Sequence, residues 1–199
     1  MDVYVGGKKI RADPKNAIGK GGEADIFDVG GGMALKVFKR PDHPDYVGFP
    51  HEQQGARERI ATHQRKLRQF PAHLPDRVVT PVDLATDKSG KEILGYTMPF
   101  VQGAEVLLRY AERGFREGKI PQAAVLEIFK DLYGTVDGIH KASVVIGDFN
   151  DLNVLVDGTH AHVIDTDSFQ FGNFPCRVFT TKFVDPTLCD SHAASIMLA

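Results

Sequence analysis

Val144-Val145-Ile146-Gly147-Asp148-Phe149-Asn150-Asp151-Leu152-Asn153-Val154-Leu155-Val156-Asp157 sets two apolar runs around a short polar turn, which carries an Asp-x4-Asn spacing between Asp148 and Asn153. A further apolar run ends in acid, His162-Val163-Ile164-Asp165-Thr166-Asp167. Short β-branched runs bounded by Asp and Gly read as buried strands. The turn Gly158-Thr159 between them predicts a hairpin. Such a hairpin presents Asp148, Asn153 and Asp165 at one mouth. Two carboxylates and an amide converging on one point suit a hard, oxygen-liganded cation such as Mg2+ carrying a phosphate. Asp and Asn are also ordinary strand-end residues, so a plain turn explains the same spacing unless the rest of the chain supplies partners.

The 199 residues are 42% hydrophobic and 25% charged, with a formal net charge of −2. That composition is globular, and the length allows one domain or two small lobes. Near-neutral charge gives no general case for nucleic acid or an anionic membrane surface. No apolar run approaches the roughly 20 residues of a membrane span. The start, Met1-Asp2-Val3-Tyr4-Val5-Gly6-Gly7, lacks the basic-then-apolar pattern of a secretion leader. Cys176 and Cys189 have neither metal spacing nor the number for a disulfide framework. A reducing, cytoplasmic setting is therefore expected. His160 and His162 alternate along one strand and read as surface residues rather than ligands.

Upstream, residues 3–13 read as a short strand pair around Gly6-Gly7. Next, Gly19, Gly21 and Gly22 sit between two strand-like ends in Ile18-Gly19-Lys20-Gly21-Gly22-Glu23-Ala24-Asp25-Ile26-Phe27-Asp28-Val29. A Gly-rich turn lets backbone N–H groups approach phosphate oxygens without Cβ clashes; a plain hairpin tip needs glycines too. A Rossmann fingerprint requires a helix straight after the glycines, and a Walker loop requires Gly-Lys-Ser/Thr opening one. Neither is present. In Met33-Ala34-Leu35-Lys36-Val37-Phe38, alternation places Ala34, Lys36 and Phe38 on one face. An inward lysine is costly without an anion, and a phosphate would serve; the alternative is an edge strand with Lys36 in solvent.

Residues 41–50 read as a loop. Residues 51–70 read as a polar helix with apolar points at Ile60, Leu67 and Phe70, ended by Pro71 and Pro75. Residues 78–82 and 93–101 predict two strands joined by the turn Asp87-Lys88-Ser89-Gly90. The break at Gln102-Gly103 sets a boundary between residues 1–102 and 103–199. Residues 104–117 suggest a helix of mixed face. Residues 121–142 predict a strong helix with Pro121 in its first turn and a core stripe of Val125, Ile128, Phe129, Leu132, Val136 and Ile139. His140 near its C-terminal end suits the helix dipole.

Taken in order, the chain offers a Gly-rich hairpin, a strand lysine, a polar helix, two strands, a linker, an apolar helix, Asp-x4-Asn, then a strand and Asp. That order resembles the protein-kinase fold over about residues 15–188. The resemblance implies an α+β, two-lobed fold: residues 1–102 as an antiparallel-sheet N-lobe with one helix, and residues 103–199 as a truncated, mostly helical C-lobe. It implies that Gly19 and Gly21 match the first two glycines of the phosphate-covering loop, with Ala24 at the third. Ile26 matches the residue that packs on adenine, and Lys36 the strand lysine that contacts the α/β-phosphates. Met98 matches the gatekeeper, and Pro99 to Val101 the hinge. Of the nearest helix acids, Glu58 and Glu52, Glu58 is assigned to Lys36, although strand-facing register puts Gln64 or His63 opposite. Asp148 resembles the catalytic Asp that accepts the hydroxyl proton, Asn153 and Asp165 resemble the metal ligands, and Thr180 to Pro186 resembles the end of an activation segment. Gly-Asp-x4-Asn followed by Ile164-Asp165-Thr166-Asp167-Ser168-Phe169-Gln170 is also similar to a group of bacterial kinase-like proteins that carry this domain beside other modules.

The departures have consequences. Ile146-Gly147-Asp148 stands where His-Arg-Asp is usual, so an activation-loop phosphate lacks its arginine partner. Asn150 stands where a lysine is usual. Asp165-Thr166-Asp167 replaces Asp-Phe-Gly, and Asp167 either caps a turn or adds a carboxylate near the metal. Thr187 replaces the glutamate that follows the Pro. The chain ends soon after, as a truncated or naturally minimal kinase, with little of the usual peptide-docking floor. The resemblance implies transfer of the ATP γ-phosphate, with Mg2+, to a Ser or Thr hydroxyl of a protein substrate. A pseudokinase scaffold that binds nucleotide without transfer, and a small-molecule kinase of related fold, are the alternatives.

Overall fold

The computed structural model of the chain describes residues 1–176 and 180–184. The protein is α+β, and its named strands pair antiparallel throughout. The chain divides into two compact units: Met1–Phe70 with Thr80–Phe100, and Pro71–Val79 with Val101 onward.

The first unit holds β1 (Asp2–Val5), β2 (Lys8–Arg11), β3 (Gly19–Lys20), β4 (Ala24–Gly30), β5 (Met33–Phe38), α1 (Pro50–Lys66), β6 (Leu84–Thr86) and β7 (Ile93–Pro99). These strands form one sheet in the order β2-β1-β6-β7-β5-β4-β3. The pair expected around Gly6-Gly7 forms, with Val3 opposite Ile10. Two-residue periodicity splits β5 between two cores. Leu35 and Val37 pack with Val3, Phe27 and Ala85, while Phe38 packs with Ala24, Leu67, Ile93 and Tyr96. α1 lies against the second cluster: the His63 ring sits 4.6 Å from that of Phe38, and the Gln64 amide both donates to Ile93 O (2.9 Å) and accepts from Ile93 N (2.7 Å). Pro50 opens α1, where its fixed φ and missing N–H cost nothing.

The strand expected over 78–82 does not form; β6 begins at Leu84. Pro81 has no N–H to give a ladder. Val78 and Val79 are committed elsewhere: Val78 bridges Val163 in parallel, and Val79 N donates to Val163 O at 2.9 Å. Residues 71–79 therefore belong to the second unit, and the boundary expected at Gln102-Gly103 falls at Phe100/Val101 with this excursion added.

The second unit holds β8 (Glu105–Val106), α2 (Leu107–Ala111), α3 (Arg113–Arg116), α4 (Gln122–Lys141), β9 (Val154–Asp157) and β10 (His160–Val163), with its sheet ordered β10-β9-β8. The mixed-face helix expected over 104–117 is split. Glu105 and Val106 pair with β9, and Glu112 at ψ 122° breaks the helix between α2 and α3. α4 buries Ile128, Leu132, Thr135 and Ile139. Phe129, expected in that stripe, is 52% exposed: it sits one residue, about 100°, around the helix from Ile128. The Asp131 carboxylate accepts from Ala161 N at 2.7 Å and so ties α4 to β10. Among the described residues no helix is long and apolar enough to cross a membrane.

Candidate functional site

The quoted stretch folds as a loop pinned from several sides. Val144 and Ile146 are buried, but the strand expected there shrinks to one bridge, in which Val145 and Gln170 exchange hydrogen bonds of 2.9 and 2.7 Å. The β9–β10 hairpin forms as expected, with Val154 opposite Val163. Its first strand follows Asn153 directly, and Ile164 N donates to Asn153 O at 3.0 Å. That bond draws the backbone before Asp165 to the asparagine.

Around Asp148 the side chains interlock. Asn153 Nδ2 donates to Asp148 O at 2.9 Å and lies 3.5 Å from Asp148 Oδ2. Thr180 Oγ1 donates to Asp148 Oδ1 at 2.8 Å. Asn150, buried, accepts from Leu152 N (2.9 Å) and Asn153 N (3.1 Å) through Oδ1, and its Nδ2 reaches Asp148 O and Thr180 Oγ1 at 3.3 Å each. Asn150 thus staples the loop that carries Asp148. An extra methyl at Gly147 would lie 2.4 Å from Ser168 O and closer still to Cys176 Sγ, which explains why no arginine precedes Asp148.

Asp165 adopts the left-handed region at φ 60°, ψ 39°, which Asp tolerates better than most non-glycine residues. Its carbonyl accepts from Ser168 N (3.1 Å) and Ser168 Oγ (2.8 Å), so the Asp165–Ser168 turn is closed by Asp165 and Ser168. Thr166 is fully buried and donates to Val79 O at 3.0 Å. Asp167 is buried inside the turn. The donors Asn153 and Asp165 are hard oxygens of the kind Mg2+ takes, and Asn153 Nδ2, spent on Asp148 O, leaves the amide oxygen as the group's donor. Among the described residues, no three His, Cys, Asp or Glu side chains cluster for a metal ion. An apolar cavity of about 350 Å3, lined by Leu107, Tyr110, Phe129, Phe149 and Phe183, lies beside the loop. Neither Asp148 nor Asp165 is among its lining residues. Of the Thr180–Pro186 stretch, residues 185 and 186 lie outside the described residues, as do Thr187 and Cys189.

In the first unit, Lys36 is 6% exposed on β5, between β4 and β7. The solvent-edge alternative is therefore excluded. Its Nζ stands 5.8 Å from the Tyr96 ring centre, and in register it faces Ile26 and Tyr96. Ile26 is half-buried, and Met98, also half-buried, packs on the Phe38–Tyr96 cluster. The Ala24 side chain is buried with Phe38 and Leu67, at the start of β4. Glu58 is exposed on α1 and accepts from Gln54 Nε2 at 2.8 Å, while the buried face of α1 carries Ala56, His63 and Lys66. Val101 is half-buried at the start of the second unit's main segment.

The glycines sort by cause. Gly30, Gly31 and Gly32 have φ of +78°, +64° and +73°, so the β4–β5 turn needs them. Gly19, Gly21 and Gly22 have no such backbone, and a methyl at Gly22 would meet nothing within 4 Å. A positive φ does not account for them, and the backbone at Gly22 is open. Sequence reasoning missed the roles of Thr180 and Asn150 and the contacts that Lys39, Tyr46 and Arg59 make with the Gly-rich turn. Their signal was present only as polar residues in loops and, for Arg59, on the polar helix α1. No protein-family model and no curated protein matches the chain.

Proposed function

We propose that the chain is a protein kinase-like phosphotransferase that uses ATP and Mg2+ and phosphorylates a Ser or Thr hydroxyl. The observation that carries this reading is the hold on the Asp148 backbone, whose carbonyl accepts from Asn153 Nδ2 at 2.9 Å and from Asn150 Nδ2 at 3.3 Å. A loop that only turned the chain would not need two asparagine side chains on one carbonyl. In this reading Asp148 takes the proton from the attacking hydroxyl, Asn153 and Asp165 hold the metal, and Lys36 with the Gly19–Gly22 backbone holds phosphates. Mg2+ supplies neutralisation of phosphate charge when bound. Positioning and charge compensation carry phosphoryl transfer. Buried Lys36 on an interior strand and the open backbone at Gly22 support the nucleotide half.

One observation favours a nucleotide-binding scaffold without transfer: the Thr180 hydroxyl occupies Asp148 Oδ1, which a substrate hydroxyl would have to reach. Calorimetric titration with ATP, with and without Mg2+, tests the shared part. Binding near ~10 µM is expected, about −7 kcal/mol, weakened in Asp165→Asn. Transfer of labelled γ-phosphate to peptides or to small hydroxyl compounds separates the readings. Wild type transfers and Asp148→Asn binds ATP without transferring. Transfer by Asp148→Asn at the wild-type rate refutes the base assignment.

A further inference from the structure

The tip of the Gly-rich turn is held by a segment that no phosphate-loop argument requires. β3 and β4 are closed by Gly21 N donating to Ala24 O at 2.9 Å. Beyond this ordinary hairpin bond, successive tip carbonyls are gripped from outside. Gly21 O accepts from Lys39 Nζ at 2.6 Å, and Gly22 O accepts from Tyr46 Oη at 2.7 Å. Glu23 O accepts from Lys39 N at 2.9 Å. The Glu23 carboxylate also accepts from Arg59 Nη1 at 2.8 Å, and Arg59 Nη2 donates to Tyr46 Oη at 3.2 Å. Lys39 and Tyr46 are each 5% exposed. Asp45 Oδ2, 2.5 Å from Lys39 Nζ, balances the lysine's charge.

A trans peptide is planar, so its N–H points opposite to its C=O, and the chain has no cis peptide bond among the described residues. With the Gly21 and Gly22 carbonyls turned toward residues 39–46, the N–H groups of Gly22 and Glu23 are aimed the other way. Successive backbone N–H groups on one side of a turn make an anion-binding concavity. Burial raises the Tyr46 hydroxyl above the usual tyrosine pKa, so it stays a donor at any physiological pH.

We infer that Lys39, Tyr46 and Arg59 form a latch that presets the Gly-rich turn for the phosphates of a nucleoside triphosphate. They are positioning residues that act through the Gly21 and Gly22 carbonyls, with Asp45 cancelling the charge of Lys39. The inference rests on the nucleotide reading above. Tyr46→Phe keeps the buried ring and removes one grip; Arg59→Gln loosens the same tyrosine from α1. The probes are MgATP, adenosine, and hydrogen exchange of the 19–24 amides without ligand.

The expected result for Tyr46→Phe is a roughly tenfold loss of MgATP affinity, the worth of one buried hydrogen bond, with adenosine affinity unchanged and tip exchange about tenfold faster. Arg59→Gln shows the same pattern at roughly a third of the size. Wild-type binding of both ligands with unchanged MgATP affinity in Tyr46→Phe overturns the latch and leaves the nucleotide reading standing. Equal losses for MgATP and adenosine overturn it too, because a general structural role has no phosphate preference. Wild type binding neither ligand overturns the nucleotide reading and the phosphate role with it.

Discussion

Gly147→Ala adds one methyl group beside Asp148, and the structure gives the cost. An added Cβ meets Cys176 Sγ, Cys176 Cβ and Ser168 O, the last two at 2.4 Å. Carbon contacts are comfortable from about 3.5 Å, so each neighbour must retreat by roughly 1 Å. Cys176 has a side chain that can turn. Ser168 O cannot move without disturbing the turn in which Ser168 bonds the Asp165 carbonyl twice, and the adjacent Val145–Gln170 bridge. Overpacking of a tight site costs about 1–3 kcal/mol, and a backbone obstacle places this site at the upper end, about 3 kcal/mol. For a chain of this size that is a fall of about 6–12 °C in melting temperature. The assay is thermal and urea unfolding followed by circular dichroism. Gly134→Ala serves as the control: Gly134 is exposed on α4 with nothing within 4 Å of an added methyl, so it should stabilise by about 0.5–1 kcal/mol. Cys176→Gly in the Gly147→Ala background should recover part of the loss, because Ser168 O remains. A Gly147→Ala protein that melts within about 1 °C of wild type refutes the packing argument, and with it the reason for the missing arginine.

Three further outcomes are expected. Gln64→Leu should cost about 1–3 kcal/mol, since it strips both partners from the buried Ile93 backbone; urea midpoints measure it. The hydroxyl of Ser89, and then the backbone N–H of Glu92, hold Asp87 down to about 2. A carboxylate depressed in the folded state stabilises above its unfolded pKa of roughly 3.9, and that contribution fades as pH falls from there through 2; Ser89→Ala should move the Asp87 titration upward by NMR. With no room for an arginine at residue 147, the phosphotransfer proposed above should survive phosphatase treatment unchanged, and a tenfold or larger loss of rate would overturn that expectation.

What was readable in the sequence follows from how local each cause is. The β1–β2, β4–β5 and β9–β10 hairpins and α4 are set by nearby patterning and by glycines at positive φ, and they stand where the pattern puts them. The strand at 78–82 was misplaced because valines read as strand wherever they fall, while their partner, Val163, lies far along the chain. Phe129 was misplaced because a stripe drawn from apolar identity is wider than the face that Ile128, Leu132, Thr135 and Ile139 bury. On α1 burial goes to Ala56, His63 and Lys66, a face that the acids of this helix do not mark in the sequence.

The two asparagines of the 148–153 loop show where sequence reading stops. Asn150 and Asn153 are the same residue type in the same polar turn, and the resemblance to a kinase loop made one a substitute for lysine and the other a metal ligand. In the structure Asn150 spends its oxygen on the amides of Leu152 and Asn153, while Asn153 spends its nitrogen on the carbonyl of Asp148. The first tightens the turn, and the second fixes the backbone that carries the carboxylate and leaves an amide oxygen available to a cation. An amide is both donor and acceptor, so its task depends on which end the fold consumes. Asn150→Asp would keep the acceptor and lose the two long donations, 3.3 Å each, to Asp148 O and Thr180 Oγ1. Asn153→Asp would lose the shorter donation to Asp148 O, at 2.9 Å. The second substitution removes orientation from Asp148 itself, and the division of labour between loop shape and loop chemistry lies in that difference.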